Sequence, residues 1–407
     1  MTAPLLLVFV LLVSGEDFLL YSVNRGEGFT AQLLVLTRVL ALLDRVIEQR
    51  SANRSDVPLS LVMPPVCGRL VHGGDGSDTA YRMSDVIDLA HLERSVPGLH
   101  RVVDLHEHGG AVDAAMHLQL RSRTDYKAMH FRALDVCDEE SQLDVQLTHL
   151  CWPLRVASLQ CYDAFVDADY APLHESLLRL WRGDDALVPD CDASRRDRSV
   201  ALLRAETLSW GMVWFSERLD RALVALRPSP RLKQLADEAL AALREQREKC
   251  STNVCLRQWA TGASVAHCAR LTVGIHWRRR DFASAHGSTT PSAKTLARQL
   301  AQLLDAMSSD ACVFLMTDAD GHDRLALLNA LTELAWPTHR LVALHDDAQA
   351  TLLPVARLEI EKEIMIVASE SFYGTPPSSV SLWISKKRVS VSKRDESTNH
   401  NLDADVH

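Results

Sequence analysis

Apolar and polar positions alternate in an orderly way at both ends of the chain. Phe18 to Ser22 (FLLYS) reads as a strand, and a glycine-bearing loop, Asn24 to Phe29, follows it. Ala31 to Gln49 then carries apolar residues at helical spacing, and Pro58 to Met63 reads as a second strand stopped by Pro64 and Pro65. Strand, glycine loop, helix and strand in that order open an α/β domain with a parallel sheet. The last third repeats the rhythm. Strands are predicted at Leu271 to Ile275, Cys312 to Met316, Leu341 to Leu344 and Ser371 to Gly374. Helices are predicted between them at Ser292 to Met307, His322 to Ala335 and Leu358 to Ala368. Residues 73 to 190 hold only short apolar segments, and Val200 to Arg247 reads as helical with one break at Arg227-Pro228-Ser229-Pro230.

Length changes this picture from one domain to two. A chain of 407 residues, 47% of them hydrophobic, exceeds what a single core usually holds. The polar stretch Lys249 to Gly262 marks the expected boundary, giving domains over 16 to 250 and 251 to 390 and a disordered polar tail over 391 to 407. Leu5 to Val13 (LLLVFVLLV), followed by Ser14 and Gly15, has signal-peptide length, so residues 1 to 15 are expected to be a secretion signal. No later segment is long and apolar enough to span a membrane. Nine cysteines without a CxxC pair suit disulfides better than zinc, and Asn53-Arg54-Ser55 is a glycosylation sequon. A net charge of -9 argues against nucleic acid as a partner, because neutralising phosphates needs a basic face.

In such sheets ligands bind beyond the carboxyl ends of strands, and three post-strand segments carry chemistry. In Asn24-Arg25-Gly26-Glu27-Gly28-Phe29 the glycines expose backbone amides beside one carboxylate. Glu27 is either a general base there or only a charge at a helix start. In His276-Trp277-Arg278-Arg279-Arg280-Asp281-Phe282, strand alternation puts His276 and Arg278 on one face and Trp277 and Arg279 on the other. Arg278 offers its fork of donors to a diphosphate and His276 a hydrogen bond to a base or ribose, while Arg279, Arg280 and Asp281 hold the loop. Phe372-Tyr373-Gly374-Thr375, followed by Pro376-Pro377-Ser378-Ser379-Val380, offers hydroxyls and amides at a helix start: a phosphate seat or a simple cap. His106-Glu107-His108 and the Asp318, Asp320, Asp323 group read as loops rather than metal sites.

These segments resemble the GDP-fucose protein O-fucosyltransferases, most of all the branch that acts on thrombospondin type 1 repeats. Glu27-Gly28-Phe29 is similar to that family's EGFN loop. Met63-Pro64-Pro65 with Gly68-Arg69-Leu70 is similar to PPWGRL, and Gly274 to Phe282 to GVHLRRKDF. Thr317-Asp318-Ala319 is similar to ATDA, and Gly374-Thr375 with Ser378 to Ser381 to GTSVSTFS. The resemblance implies an α/β fold of GT-B type, two Rossmann-like domains with parallel sheets facing across a cleft, the first on the acceptor side and the second binding GDP-fucose. It implies inverting transfer of fucose from GDP-fucose to Ser or Thr of folded thrombospondin repeats in the endoplasmic reticulum lumen, with no cofactor and no essential metal. It casts Glu27 as the base and Arg278 as the β-phosphate ligand. Gly26, Gly28, Phe29, Thr30, His276, Asp318, Thr375, Ser378, Ser379 and Val380 become donor contacts. It also implies a Cys137–Cys161 disulfide. Thr30 stands where the family has Asn, Pro376 and Pro377 stiffen a loop, and Lys362, flanked by Glu361 and Glu363, stands where the family has a guanine-reading Asp. Two alternatives follow: an inactive relative serving as a repeat-binding quality-control protein, or an enzyme acting on EGF repeats.

Overall fold

A computed structural model describes residues 17–22, 28–52, 58–63, 66–67, 80–104, 113–114, 116–121, 155–156, 159–163, 200–204, 217–245, 270–287, 289–304, 311–344, 354–376 and 378–403. The Lys249 to Gly262 boundary, His106 to His108, Cys137 and the 1 to 15 stretch lie outside these residues. The described part of the first half runs β1 (Asp17–Ser22), α1 (Phe29–Ala52), β2 (Leu59–Met63), β3 (Val66–Cys67), β4 (Ala80–Tyr81), α2 (Leu89–Ser95) and β5 (Leu99–Asp104). After it come β6 (Asp113–Ala114), β7 (Met116–Arg121), β8 (Arg155–Val156), β9 (Leu159–Asp163) and β10 (Val200–Arg204). The remainder runs α3 (Glu217–Ala225), α4 (Pro230–Glu245), β11 (Arg270–Trp277), α5 (Arg280–Ala285), α6 (Ala293–Leu304), β12 (Ala311–Thr317) and α7 (Gly321–Glu333). It closes with β13 (Leu341–Val342), α8 (Pro354–Ala368), β14 (Ser371–Gly374), α9 (Ser379–Ser390) and β15 (Asn399–Asn401).

Two compact units result. The first comprises Met1–Arg25, Arg38–Pro65 and Leu92–Trp214, and the second Gly26–Thr37, Val66–His91 and Phe215–His407. The first unit holds a six-stranded parallel sheet in the order β5-β2-β1-β10-β7-β9. Every residue of β2 is buried, as a parallel strand covered on both faces requires. One sequence expectation is corrected here. Val200–Arg204 is not helical; it pairs with β1 from Phe18↔Val200 to Ser22↔Arg204 and lies inside the sheet. A five-residue apolar run fits either period, and the available strand partners decide it. Among the described residues of that stretch the helical signal holds over α3 and α4, with the expected proline break between them.

The second unit is built on a five-stranded parallel sheet, β13-β12-β11-β14-β15. Alternate residues of β11 explain its layers. Val273, Ile275 and Trp277 enter a core with Leu296, Ala297 and Leu300 of α6 and Leu327 and Leu331 of α7. Gly274 and His276 face the other way, toward α8 and α9. A Cβ on Gly274 would come within 3.1 Å of Ser369 Oγ and 3.5 Å of Met365 Cγ, so the glycine lets the end of α8 approach the strand.

The tail is the second correction. It is ordered through residue 403, and Asn399–Asn401 adds a parallel edge strand beside β14. Leu402 enters the core and donates its amide to Gly374 O at 2.9 Å. Arg388 of α9, with no exposed surface, holds it from inside. Its Nε reaches Asn399 Oδ1 at 2.9 Å, and Nη2 reaches Glu370 O at 2.7 Å and Thr398 Oγ1 at 3.2 Å. Polar composition misleads here, because an edge strand anchored by side-chain and backbone hydrogen bonds needs few apolar residues.

Candidate functional site

Parallel pairing brings three of the expected segments to one edge. Trp277 pairs with Thr317 and His276 with Gly374, so the residues after β11, β12 and β14 emerge together at the carboxyl ends of the strands. Thr375 stitches two of them. Its amide and its hydroxyl both donate to His276 O, at 3.1 and 2.8 Å, and Oγ1 accepts the Arg278 amide at 3.1 Å. Thr317 does the same one strand over, donating from Oγ1 to Trp277 O at 2.7 Å and accepting the Ala319 amide at 3.0 Å.

The arginines divide as alternation predicts. Arg278 directs Nη1 to Asp318 Oδ2 and lies 6.0 Å from the Phe282 ring. Arg279 turns to the Trp277 face, where its guanidinium lies 5.4 Å from that ring. It clamps both oxygens of Asp323, at 2.9 and 3.1 Å, and its amide reaches Asp318 Oδ1 at 2.6 Å. Arg279 is thus a bidentate support for the loop. Arg280 is exposed and opens α5 with φ at 43°, a left-handed value that strains a non-glycine residue. Asp318 is the hinge of the cluster, receiving one residue through its side chain and the next through its backbone. Asp320, whose carboxyl accepts the Asp323 amide at 2.8 Å, caps α7, and this hydrogen bond lowers its pKa. Asp320, His322 and Asp323 offer atoms within 4.8 Å of one another. The cap and the Arg279 clamp account for both of the carboxylates.

His276 is buried, and its Nδ1 lies 2.7 Å from Ser381 Oγ on α9. Burial first, then the positive charges of Arg278 and Lys362, lower its pKa from 6.5 to about 3. It therefore works as a neutral hydrogen-bonding ring. Ser381 closes the Ser378 to Ser381 motif but carries no site role in the sequence reading; its position in the first turn of α9 brings it onto His276. Gly374 makes this contact possible, since a Cβ there would come within 2.7 Å of Ser381 Cβ. Ser378 precedes α9, makes no side-chain capping bond and donates its amide to Thr375 O at 3.0 Å. Ser379 and Val380 form the half-buried first turn behind it.

The remaining expected residues lie at the start of α1. Gly26 and Glu27 fall outside the described residues. Gly28 O accepts the Gln32 amide at 3.2 Å, and Phe29 and Thr30 are buried. Lys362 is buried within α8, where Nζ meets Glu359 Oε1 at 2.5 Å and Thr30 Oγ1 at 3.3 Å. Its neighbours differ: Glu361 pairs with Arg357 at 3.3 Å, whereas burial raises the pKa of Glu363. Beside Lys362 a cavity of about 580 Å³ is lined by Glu359, Glu363, Trp383, Lys387, Leu33 and Ile366, among others. Lys362 and Lys387 each place Nζ 5.1 Å from the Trp383 ring.

Comparison with known proteins adds a second line of argument. No family model matches the chain. The chain is 29% identical over 343 residues to GDP-fucose protein O-fucosyltransferase 2 of Drosophila melanogaster, covering 78% of this chain and spanning 66%, about two thirds, of the length of that relative. Among solved structures it is similar to POFUT1 in complex with GDP-fucose, with a TM-score of 0.55, 10% identity and coverage of 96% of this chain and 99% of that one. Apo POFUT1 gives a TM-score of 0.52 at 10% identity. At that identity the structures speak for the fold alone, and the expected α/β fold of GT-B type, with two Rossmann-like parallel-sheet units, is borne out.

Proposed function

We propose, from the resemblance of this chain to the GDP-fucose protein O-fucosyltransferases, that it is an inverting glycosyltransferase. It would move fucose from GDP-fucose to Ser or Thr of folded thrombospondin type 1 repeats. The observation that carries the reading is the set held at the strand ends: Arg278 anchored by Asp318 and Thr375, beside neutral His276 and the start of α9. Such an edge suits a diphosphate, which needs forked donors, a neutral hydrogen-bonding ring and free helix-start amides. The relative's name supports fucose and protein as the two substrates.

In this reading Glu27 takes the proton of the acceptor hydroxyl as it attacks the anomeric carbon from the face opposite GDP. The carbon–oxygen bond to the β-phosphate breaks, and its electron pair leaves with GDP. Arg278 meets the charge where it develops, with the amides of Gly28, Phe29 and the α9 start beside it. Positive protein groups fill the role that a metal takes in other transferases, so no metal is required. Gly26, Thr30, Asp318, Thr375, Ser378, Ser379 and Val380 shape the donor seat. Transfer would take place in the endoplasmic reticulum lumen, which the disulfide bond of Cys312 supports. Among the described residues no helix is long and apolar enough to cross a membrane.

The test is incubation with GDP-fucose and purified thrombospondin or EGF repeats, with and without EDTA. Transfer to the thrombospondin repeat that survives EDTA is expected. GDP binding without transfer to either repeat would favour an inactive repeat binder, and transfer to the EGF repeat alone would move the acceptor.

A further inference from the structure

Lys362 and Thr30 are two positions at which this chain departs from the motifs it resembles, and they touch. Lys362 is 1% exposed, and a lysine so buried requires partners for its charge. Nζ has Glu359 Oε1 at 2.5 Å, the Trp383 ring at 5.1 Å and Thr30 Oγ1 at 3.3 Å. An ammonium only donates, so the Thr30 oxygen is the acceptor in that bond and its own hydrogen points elsewhere. Thr30 is the second residue of α1, within the turn whose amides have no intrahelical partner. Those amides and the ammonium held against Thr30 together favour an anion at the start of α1. The charge of Lys362 also reaches the strand-end cluster, where it adds, after burial and Arg278, to keeping His276 neutral.

The geometry points to Lys362 as a positioning residue of the donor site, one that does not touch the donor but fixes the Thr30 hydroxyl as an acceptor and lends positive charge to the start of α1. This inference rests on the fucosyl-transfer reading above. It also makes Thr30 and Lys362 one paired change: each replacement makes chemical sense in the presence of the other. Glu359 belongs to the same device, since it balances the ammonium from one turn earlier on α8.

The test is a calorimetric titration with GDP of the wild type, Thr30→Val, the charge-free pair Lys362→Met with Glu359→Gln, and all three changes together. The hydroxyl variant and the charge-free pair should each weaken GDP about tenfold, the scale of one charge-assisted hydrogen bond. The triple variant should be no weaker than the worse of the two. KM for GDP-fucose should rise while kcat stays within about threefold, since the interaction holds ground and transition states alike. Lys362→Arg should recover most of the affinity. A charge-free pair that melts like the wild type and binds GDP as tightly overturns the inference, as do losses that simply multiply. If that pair does not fold, Thr30→Val with unchanged affinity overturns it alone. Wild-type protein that fails to bind GDP would bring down the fucosyl reading as well, so the two failures are distinguishable.

Discussion

The second unit contains two groups of cations that treat their charges in opposite ways. At the strand ends, Arg278 and Arg279 are partly exposed and paired with the carboxylates of Asp318 and Asp323. On the helices beneath, Lys362, Lys387 and Arg388 are buried. Lys387 donates to the Leu223 and Leu226 carbonyls at the end of α3, and burial lowers its pKa to about 7. Arg388 spends its fork on Ser369, Glu370, Thr398 and Asn399 and has its pKa lowered to about 10, again by burial first. An arginine paired with a carboxylate at a half-open edge can share its donors with an incoming anion at modest cost, whereas a cation held by backbone carbonyls in the interior cannot. In the proposed reading the first group, through Arg278, meets a ligand, and the second supports the scaffold, with Lys362 standing between them.

The comparison can be broken at several points. The largest effect belongs to Glu27→Ala, which should reduce transfer at least about a thousandfold, within the range of a lost general base, while GDP binding is largely kept. Wild-type transfer by that variant would remove Glu27 from the mechanism. Next, Arg278→Ala should weaken GDP about a hundredfold and lower turnover with it, at a melting temperature within roughly 2 °C of the wild type. A large drop in melting temperature with unchanged GDP affinity would place Arg278 in the scaffold group instead. Arg388→Met should do the reverse. It takes the donor away from the carbonyls of Met365, Ser369 and Glu370 and from the side chains of Ser369, Thr398 and Asn399, so a loss of about 3 kcal/mol and a fall of roughly 10 °C are expected in thermal unfolding.

Smaller effects sharpen the division. Asp323→Asn loosens the Arg279 clamp and should cost about 1 to 2 kcal/mol without touching the donor; denaturant melts measure it. His276 gives a signed pH test. Its pKa falls from 6.5 to about 3 on folding, so the unfolded chain takes up a proton first as pH drops. The stability it contributes is whole above 6.5 and is lost as pH falls from 6.5 toward about 3. His276→Gln should flatten the decline in urea-derived stability over the upper part of that window, and an unchanged slope would contradict the buried neutral ring.

Much of the strand-end cluster was legible in the chain. HWRRRDF announces a strand by its apolar lead-in, and period-two alternation correctly separates Arg278 and His276 from Trp277 and Arg279. Glycines at 274 and 374 signal close approach without naming the neighbour. What stayed hidden were partners distant in sequence: Ser381 on His276, Asp323 on Arg279, and Thr30 on Lys362, 332 residues away. Lys387 and Arg388 lie in the polar Ser385 to Ser390 stretch, yet both are buried, because carbonyls and hydroxyls from other segments accept from the donors they bring inward.

The sequence by itself determined what local rules control. Hydrophobic period set β1, α1 and β2 and most strands and helices of the second unit, and strand-end position named the arginine and the histidine. Tertiary structure alone decided matters that depend on which segments meet. It made Val200–Arg204 a strand by supplying β1 and β7 as partners. It turned a polar tail into an edge strand through Arg388. It made Lys362 a buried anchor, because Glu359 balances its charge and Thr30 accepts its hydrogen bond there, and no local pattern encodes that meeting.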